Sequence, residues 1–173
     1  VRAIRIALWM SLLMVFGVAW AHGPTRQKVT ESVVINATPA KVWAMVGNFN
    51  GLPQWHPAVE KSTSTNGNEA GSVRTLTLKG GGEVVEVIEE RNDTEMTLNY
   101  RMISGVLPVT NYTSRLHVTA GDAAGTSVVE WRGAFYRGFP NNDPPPELND
   151  DAAVNAITGV YKTGLANLKK VLE

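Results

Sequence analysis

The 173-residue chain contains no cysteine. Disulfides, thiolate metal sites and cysteine nucleophiles are therefore excluded, and the fold must rest on packing. A domain of this length buries enough surface to do so without staples. Histidine is scarce: only His22, His56 and His117 occur. They make no HxH, HxxxH or HExxH pattern, and a zinc site needs three or four ligands in suitable geometry, so no metal centre is expected. Charge of one sign is missing too, since sixteen Lys+Arg balance sixteen Asp+Glu. No basic, aromatic-interleaved surface is present to hold DNA or RNA. No cofactor is expected. Gly80-Gly81-Gly82 lacks both the spacing of a dinucleotide fingerprint and the Gly-Lys-Ser/Thr of a P-loop, and no Gly-x-Ser-x-Gly elbow occurs.

Long hydrophobic runs are absent with one exception. Ile6 to Val18 is apolar, follows Arg2 and Arg5, and precedes Ala19-Trp20-Ala21. That is the n-region, h-region and small-x-small junction of an export signal. It predicts a leader over residues 1–21, cleaved after Ala21, and one domain over 22–173 with its core over about 28–173. The run is shorter than the roughly 20 apolar residues a spanning helix needs, so no stable membrane insertion is expected after processing. An exported chain without disulfides suits a bacterial periplasm. Without residues 1–21 the formal net charge becomes −2.

The body of the chain alternates more than it winds. Lys28 to Asn36 reads as a strand. Thr38-Pro39 opens a helix, with Thr38 as cap and Pro39 where a missing N–H costs nothing. Val42, Trp43 and Val46 share one face of it. Gly47, Asn50 and Gly51 end it, and Leu52 to His56 reads as a second short turn. Strand patterns follow over Ala58–Thr65, Ser72–Leu78, Glu83–Glu90, Met96–Met102, Asn111–Thr119 and Thr126–Arg137. The period then changes. Val154, Ile157, Tyr161, Leu165, Leu168 and Leu172 recur at helical spacing behind Glu147, Asp150 and Asp151, acids well placed at a helix start. Gly159 and Gly164 lie inside this helix. They are either tolerated small residues or a thinning of one wall. The expected class is α+β: a curved antiparallel sheet wrapped around a long C-terminal helix that covers its apolar face.

Four stretches carry a family resemblance: Ala37-Thr-Pro-Ala-Lys-Val-Trp43, Leu52-Pro-Gln-Trp-His-Pro57, Gly71-Ser-Val-Arg-Thr-Leu-Thr-Leu78 and Leu107-Pro-Val-Thr-Asn-Tyr112. Val129-Glu-Trp131 and the last helix join them. Over about residues 28–173 the chain resembles the START and Bet v 1-like (SRPBCC) superfamily with its helix-grip fold, and more closely the polyketide cyclase/dehydrase and lipid-transport branch. Within that branch the export signal, His22-Gly-Pro-Thr25 and His56 to Ser62 resemble the MxaD-like periplasmic accessory proteins of bacterial methanol oxidation. The resemblance implies a hydrophobic cavity between sheet and helix. It also implies a small hydrophobic ligand and, as partners, a periplasmic dehydrogenase or its cytochrome acceptor. On that basis the chain is expected to be a non-catalytic accessory protein. The alternative is a cyclase, dehydratase or isomerase.

Candidate residues follow from phase and residue type. His56 either donates to a backbone carbonyl while Trp55 packs inward, or offers a polar contact in a pocket. Arg74 shares the phase of Leu76 and Leu78. Glu86 and Glu90 share that of Val84 and Ile88. An inward Arg can grip a carboxylate or enolate, and an inward Glu can act as a base. The resemblance places an Arg–Glu pair near Arg74 and Glu90, the catalytic candidates of the alternative reading. The competing reading is a cross-strand ion pair in solvent. Glu130 and Arg132 form a third possible pair. A one-residue slip reverses every such assignment, so the inward phase stays open here. The candidate ligand-binding residues are Trp55, His56, Arg74, Tyr100, Tyr112, Trp131 and Tyr161; the aromatic ones sit in core-like patterns, and the tyrosine hydroxyls are the best polar handles for any ligand. Lys79-Gly80-Gly81-Gly82 and Ser104-Gly105-Val106-Leu107-Pro108 are the candidate rim loops. His117 and Arg115 fall on the polar phase of their strand.

Overall fold

The computed structural model describes residues 23–173. The expected leader, its junction at Ala21 and His22 lie outside them. Seven strands form one antiparallel sheet: β1 (Gln27–Ile35), β2 (Val59–Ser64), β3 (Val73–Leu78), β4 (Glu83–Asn92), β5 (Thr97–Gly105), β6 (Val109–Ala120) and β7 (Ser127–Arg137). Their order across the sheet is β1-β7-β6-β5-β4-β3-β2. Helix α1 (Pro39–Val46) and a 3₁₀ segment (Phe49–Gln54) link β1 to β2, and helix α2 (Asp150–Leu172) ends the chain. This is the α+β helix-grip fold expected from the element order.

Local chemistry sets the ends. The Thr38 hydroxyl accepts from the Lys41 amide at 3.4 Å, with Pro39 at the first helical position. Gly47 caps α1 at its far end, where a Cβ would stand 2.7 Å from the Trp43 ring. Asn48 then caps the 3₁₀ turn through Asn50 N–H, so this turn begins at Phe49, earlier than Leu52. Asn149 accepts from Ala152 N–H at 2.7 Å and opens α2. Asp150 and Asp151 fill its first turn and Lys169 and Lys170 its last, each favourable to the helix dipole.

Two expectations need correction. Met96 belongs to the β4–β5 turn, at φ 49°, and β5 starts at Thr97. Asn111, also at φ 49°, sits in a bulge inside β6, which starts two residues earlier at Val109.

Helix α2 packs on β1 and β7 through Ala153, Ile157, Tyr161, Gly164, Leu165, Leu168 and Leu172. The two helix glycines differ. Gly159 is exposed, and a Cβ there meets nothing within 4 Å. Gly164 is buried, and a Cβ would stand 2.6 Å from His56 Cδ2 and 2.9 Å from Trp131 Cζ3. The wall is thin at Gly164, and protein rings fill the space. We expect Gly164→Ala to destabilise the fold by about 1–3 kcal/mol through overpacking, and Gly159→Ala to stabilise it by up to about 1 kcal/mol. Urea denaturation of the two variants beside the parent checks both signs.

Candidate functional site

The inward phase is settled by the register. Arg74 pairs directly opposite Glu86 across β3 and β4. Both side chains point to the face covered by α2, where Arg74 is 3 % and Glu86 4 % exposed. Arg74 Nε donates to Glu86 Oε2 at 2.7 Å, and Nη2 approaches the same oxygen at 2.7 Å. Arg74 Nη1 donates to the Phe49 carbonyl. The guanidinium also lies 4.1 Å above the Phe49 ring centroid and 5.1 Å from that of Tyr100, a cation–π arrangement. Glu86 Oε1 has no protein partner among the described residues.

Glu90 does not join this pair. A bulge between Ile88 and Glu90 inserts one residue and reverses the phase of the strand end. Glu90 therefore reaches the outer face, exposed, where Asn99 Nδ2 donates to it at 3.1 Å. The Arg74–Glu90 pairing is thus corrected to Arg74–Glu86. The solvent-face reading does describe Glu130 and Arg132, half exposed and 3.7 Å apart.

The pair lines a cavity of about 80 Å³ beneath α2, part of whose wall, at Ala58, is exposed to solvent. Leu76, Leu78, Val84 and Leu107 supply apolar wall, and His56, Arg74, Glu86, Tyr100, Tyr112 and Trp131 supply its polar groups. A larger depression of about 650 Å³ lies on the opposite face of the sheet, among Lys28, Glu90, Arg115 and Arg132. It is open to solvent and far more polar.

His56 fills both roles considered for it. Its Nε2 lies 3.0 Å from the Val160 carbonyl of α2, and its Nδ1 accepts from Ala58 N–H at 3.3 Å. Those partners require the neutral Nε2–H tautomer. Burial, aided by the Arg74 charge, holds its pKa below the ordinary 6.5 despite the bond to Val160. Trp55, a ligand-binding candidate from sequence, instead packs inward against Trp131 at 5.5 Å, outside the cavity lining, and its Nε1 has no partner among the described residues.

Behind the cavity lies a hydroxyl network. Trp131 Nε1 donates to both Tyr100 Oη and Ser114 Oγ at 2.9 Å. Tyr161 Oη lies 2.7 Å from Tyr112 Oη and 3.0 Å from Ser114 Oγ, which donates to the Arg132 carbonyl. Tyr161 stacks on Trp131 at 4.4 Å and 15°, so it belongs to the wall and not to the cavity lining. Burial first, then the Glu86 charge, pushes the Tyr100 pKa up to about 12. Burial drives Tyr112 and Tyr161 well above the usual phenol value as well. All three stay protonated. Ser114 was not singled out from sequence, although it alternates with Tyr112 and Leu116 on the inward phase and so had to find a partner.

The rim loops meet each other. Gly81 and Gly82 take φ of 91° and 87° in the β3–β4 turn, and a Cβ on Gly82 would stand 2.5 Å from Val106 Cγ1. Lys79 N–H donates to the Ala58 carbonyl and Val106 N–H to that of Glu83. The Pro108 carbonyl accepts from Gly138 N–H. Gly80 has open space around it. Val106 is 58 % exposed, whereas Leu107 turns into the cavity. Among the described residues no group of His, Asp or Glu is placed to hold a metal ion, and no helix is long and apolar enough to cross a membrane.

Comparison with known proteins decides the family, because one description, polyketide cyclase / dehydrase and lipid transport, matches residues 26–173. The chain belongs to this family. Among family-like structures, the protein XoxI from Bacillus cereus is 34 % identical, with 84 % of this chain and 94 % of that one covered and a TM-score of 0.73. MLP-like protein 423 of Arabidopsis thaliana is 25 % identical over 131 residues, 71 % of this chain and 84 % of its own length. The Zhui aromatase/cyclase from a Streptomyces species shares the polyketide cyclase/dehydrase fold at 16 % identity, with 86 % and 92 % covered and a TM-score of 0.68.

Two outcomes are expected. Arg74→Met strands a buried carboxylate and should cost about 3–5 kcal/mol, while Arg74→Met with Glu86→Leu should recover most of that; chemical denaturation of the single and double variants measures it. A histidine that resists protonation when folded contributes stability that is complete above about pH 6.5 and is lost as pH falls through that value toward the lower folded pKa. His56→Gln should flatten the part of the stability–pH curve that falls away below about pH 6.5, read as melting temperature against pH.

Proposed function

We propose that the chain binds a small organic molecule in the cavity beneath α2 and moves a proton on it, in the manner of a cyclase, dehydratase or isomerase. The observation that carries this reading is the buried Arg74–Glu86 pair at the cavity, where Glu86 Oε1 takes no hydrogen bond from the described residues. Glu86 takes a proton from the carbon beside a substrate carbonyl. The electron pair moves to the carbonyl oxygen as an enolate, and the Arg74 charge and the Tyr100 O–H stabilise it. Return of the proton at another carbon is isomerisation, and loss of a β-hydroxyl is dehydration. His56 is neutral and tied to Val160, so it shapes the site. Family membership and the fold shared with an aromatase/cyclase support this class of chemistry.

A second reading rests on the likeness to XoxI and on the MxaD-like segments. The chain, exported to the periplasm, assists a dehydrogenase or its cytochrome acceptor. Ile103 and Val106, 50 % and 58 % exposed, give the β5–β6 hairpin an apolar outer edge for such a contact.

Deuterium exchange at carbons beside the carbonyl, followed by proton NMR over a panel of small aldehydes and ketones that fit the cavity, tests the first reading. The parent protein should accelerate exchange for at least one compound, and Glu86→Gln should lower that rate by about 10²-fold or more. Unchanged exchange in Glu86→Gln removes the proton-transfer assignment. Co-purification with a periplasmic dehydrogenase or cytochrome tests the second.

A further inference from the structure

The lining of the cavity specifies its occupant further than the family does. Three features converge on this, and they rest on the cavity reading above. The first is charge. The Arg74 guanidinium and the Glu86 carboxylate cancel at 2.7 Å, His56 holds a neutral tautomer between Val160 and Ala58, and the buried phenols remain protonated. A net charge brought into such a space loses its hydration and meets no free counter-ion. The second is hydrogen bonding. Tyr100 Oη lines the cavity, accepts from Trp131 Nε1 and has the Ser114 and Tyr112 hydroxyls beside it. Its own proton can turn from those hydroxyls to an acceptor in the cavity. Glu86 Oε1 has the complementary need, an acceptor with no donor. Tyr100 and Glu86 are diagonal neighbours on the inward face, since Tyr100 pairs with Ile88, two residues along β4, so one molecule bridges both. The third is size. A cavity of about 150 Å³ takes benzene, so about 80 Å³ takes roughly three or four non-hydrogen atoms on the same scale.

We propose that the cavity selects a neutral molecule of three or four non-hydrogen atoms that accepts a hydrogen bond from Tyr100 and donates one to Glu86, the class of the smallest amides and hydroxy-aldehydes. Tyr100 is the specificity-determining residue. It distinguishes an oxygen acceptor from an apolar group of the same size, because an unmet donor in a dry site is costly.

The probes are acetamide, acetone, acetate and benzyl alcohol, titrated into ¹⁵N-labelled protein while the cavity-lining amides are followed by NMR. Acetamide should shift those amides and bind about tenfold more tightly than acetone. Acetate and benzyl alcohol should leave them unmoved. Tyr100→Phe keeps the Trp131 bond to Ser114 and should erase most of the difference between acetamide and acetone. Acetate binding as tightly as acetamide, or an unaltered preference in Tyr100→Phe, overturns the inference. Binding of benzyl alcohol alone overturns it while leaving a cavity-binding function in place. Absence of any shift defeats both. Loss of exchange chemistry with acetamide binding retained removes only the proton-transfer step.

Discussion

A guanidinium enclosed by aromatic rings is tolerable only if a carboxylate reaches it, and this condition organises the inner face of the sheet. Arg74 and Glu86 stand directly opposite on β3 and β4. Neither could be buried alone, since one uncompensated charge in such a site costs several kcal/mol. Phe49 lends its carbonyl and its ring to the same guanidinium, which ties the turn after α1 to the middle of the sheet. The pair thus holds three separate segments together. A hydrophobic replacement of both residues would fold as well or better on energetic grounds. Stability alone therefore does not account for their presence.

The rest of the interior follows from the same need for partners. Tyr112, Tyr161, Ser114 and Trp131 are buried, and each finds an acceptor or donor within the cluster. Arg137, on the last strand, is satisfied by Phe139 and Asn141 carbonyls and by Asp150. That second buried cation is spent on structure. It fastens the proline-rich loop to the start of α2 and leaves no carboxylate oxygen facing a cavity. The two arginines differ in where their partners lie. Both are buried, but Glu86 is buried with Arg74 at the cavity, whereas the Asp150 side chain is 31 % exposed.

Much of this was readable from the chain. Helix α1 announces itself through Thr38-Pro39, α2 through its 3.6-residue period, and the strands through alternation. Arg74 reads as inward once Leu76 does. Glu90 does not read correctly, for a physical reason. Strand β4 carries apolar residues on both phases, Val84 and Ile88 on one and Val85 and Val87 on the other. A bulge after Ile88 leaves no mark on such a pattern. Pairing with β5 reveals it, and pairing is a property of two segments. His56 was ambiguous because a turn places a side chain by tertiary contact and not by period. Its partner Val160 lies 104 residues away. The size of the interior was equally hidden, since it depends on how closely α2 approaches, and Gly164 alone brings the helix onto His56 and Trp131.

The closeness of that approach bears on what the molecule can hold. Ligand pockets for drug-sized molecules run to about 300–1,000 Å³, several times the space beneath α2. On its β3–β4 and β5–β6 side the rim is narrowed by contact of Gly82 with Val106, by the Val106–Glu83 backbone bond and by Leu107 turned inward. Gly81 and Gly82 occupy positive φ, which side chains rarely adopt, so this turn is built for one tight shape. To admit a large substrate the β3–β4 and β5–β6 hairpins must part, breaking a backbone hydrogen bond and exposing Leu107. The closed state is therefore favoured by whatever is small enough to leave both hairpins in contact. A polyketide-sized occupant would have to supply the free energy of opening from its own contacts. Family membership sets the architecture of such a cavity, and the packing of Val106 and Leu107 at its rim helps set its scale.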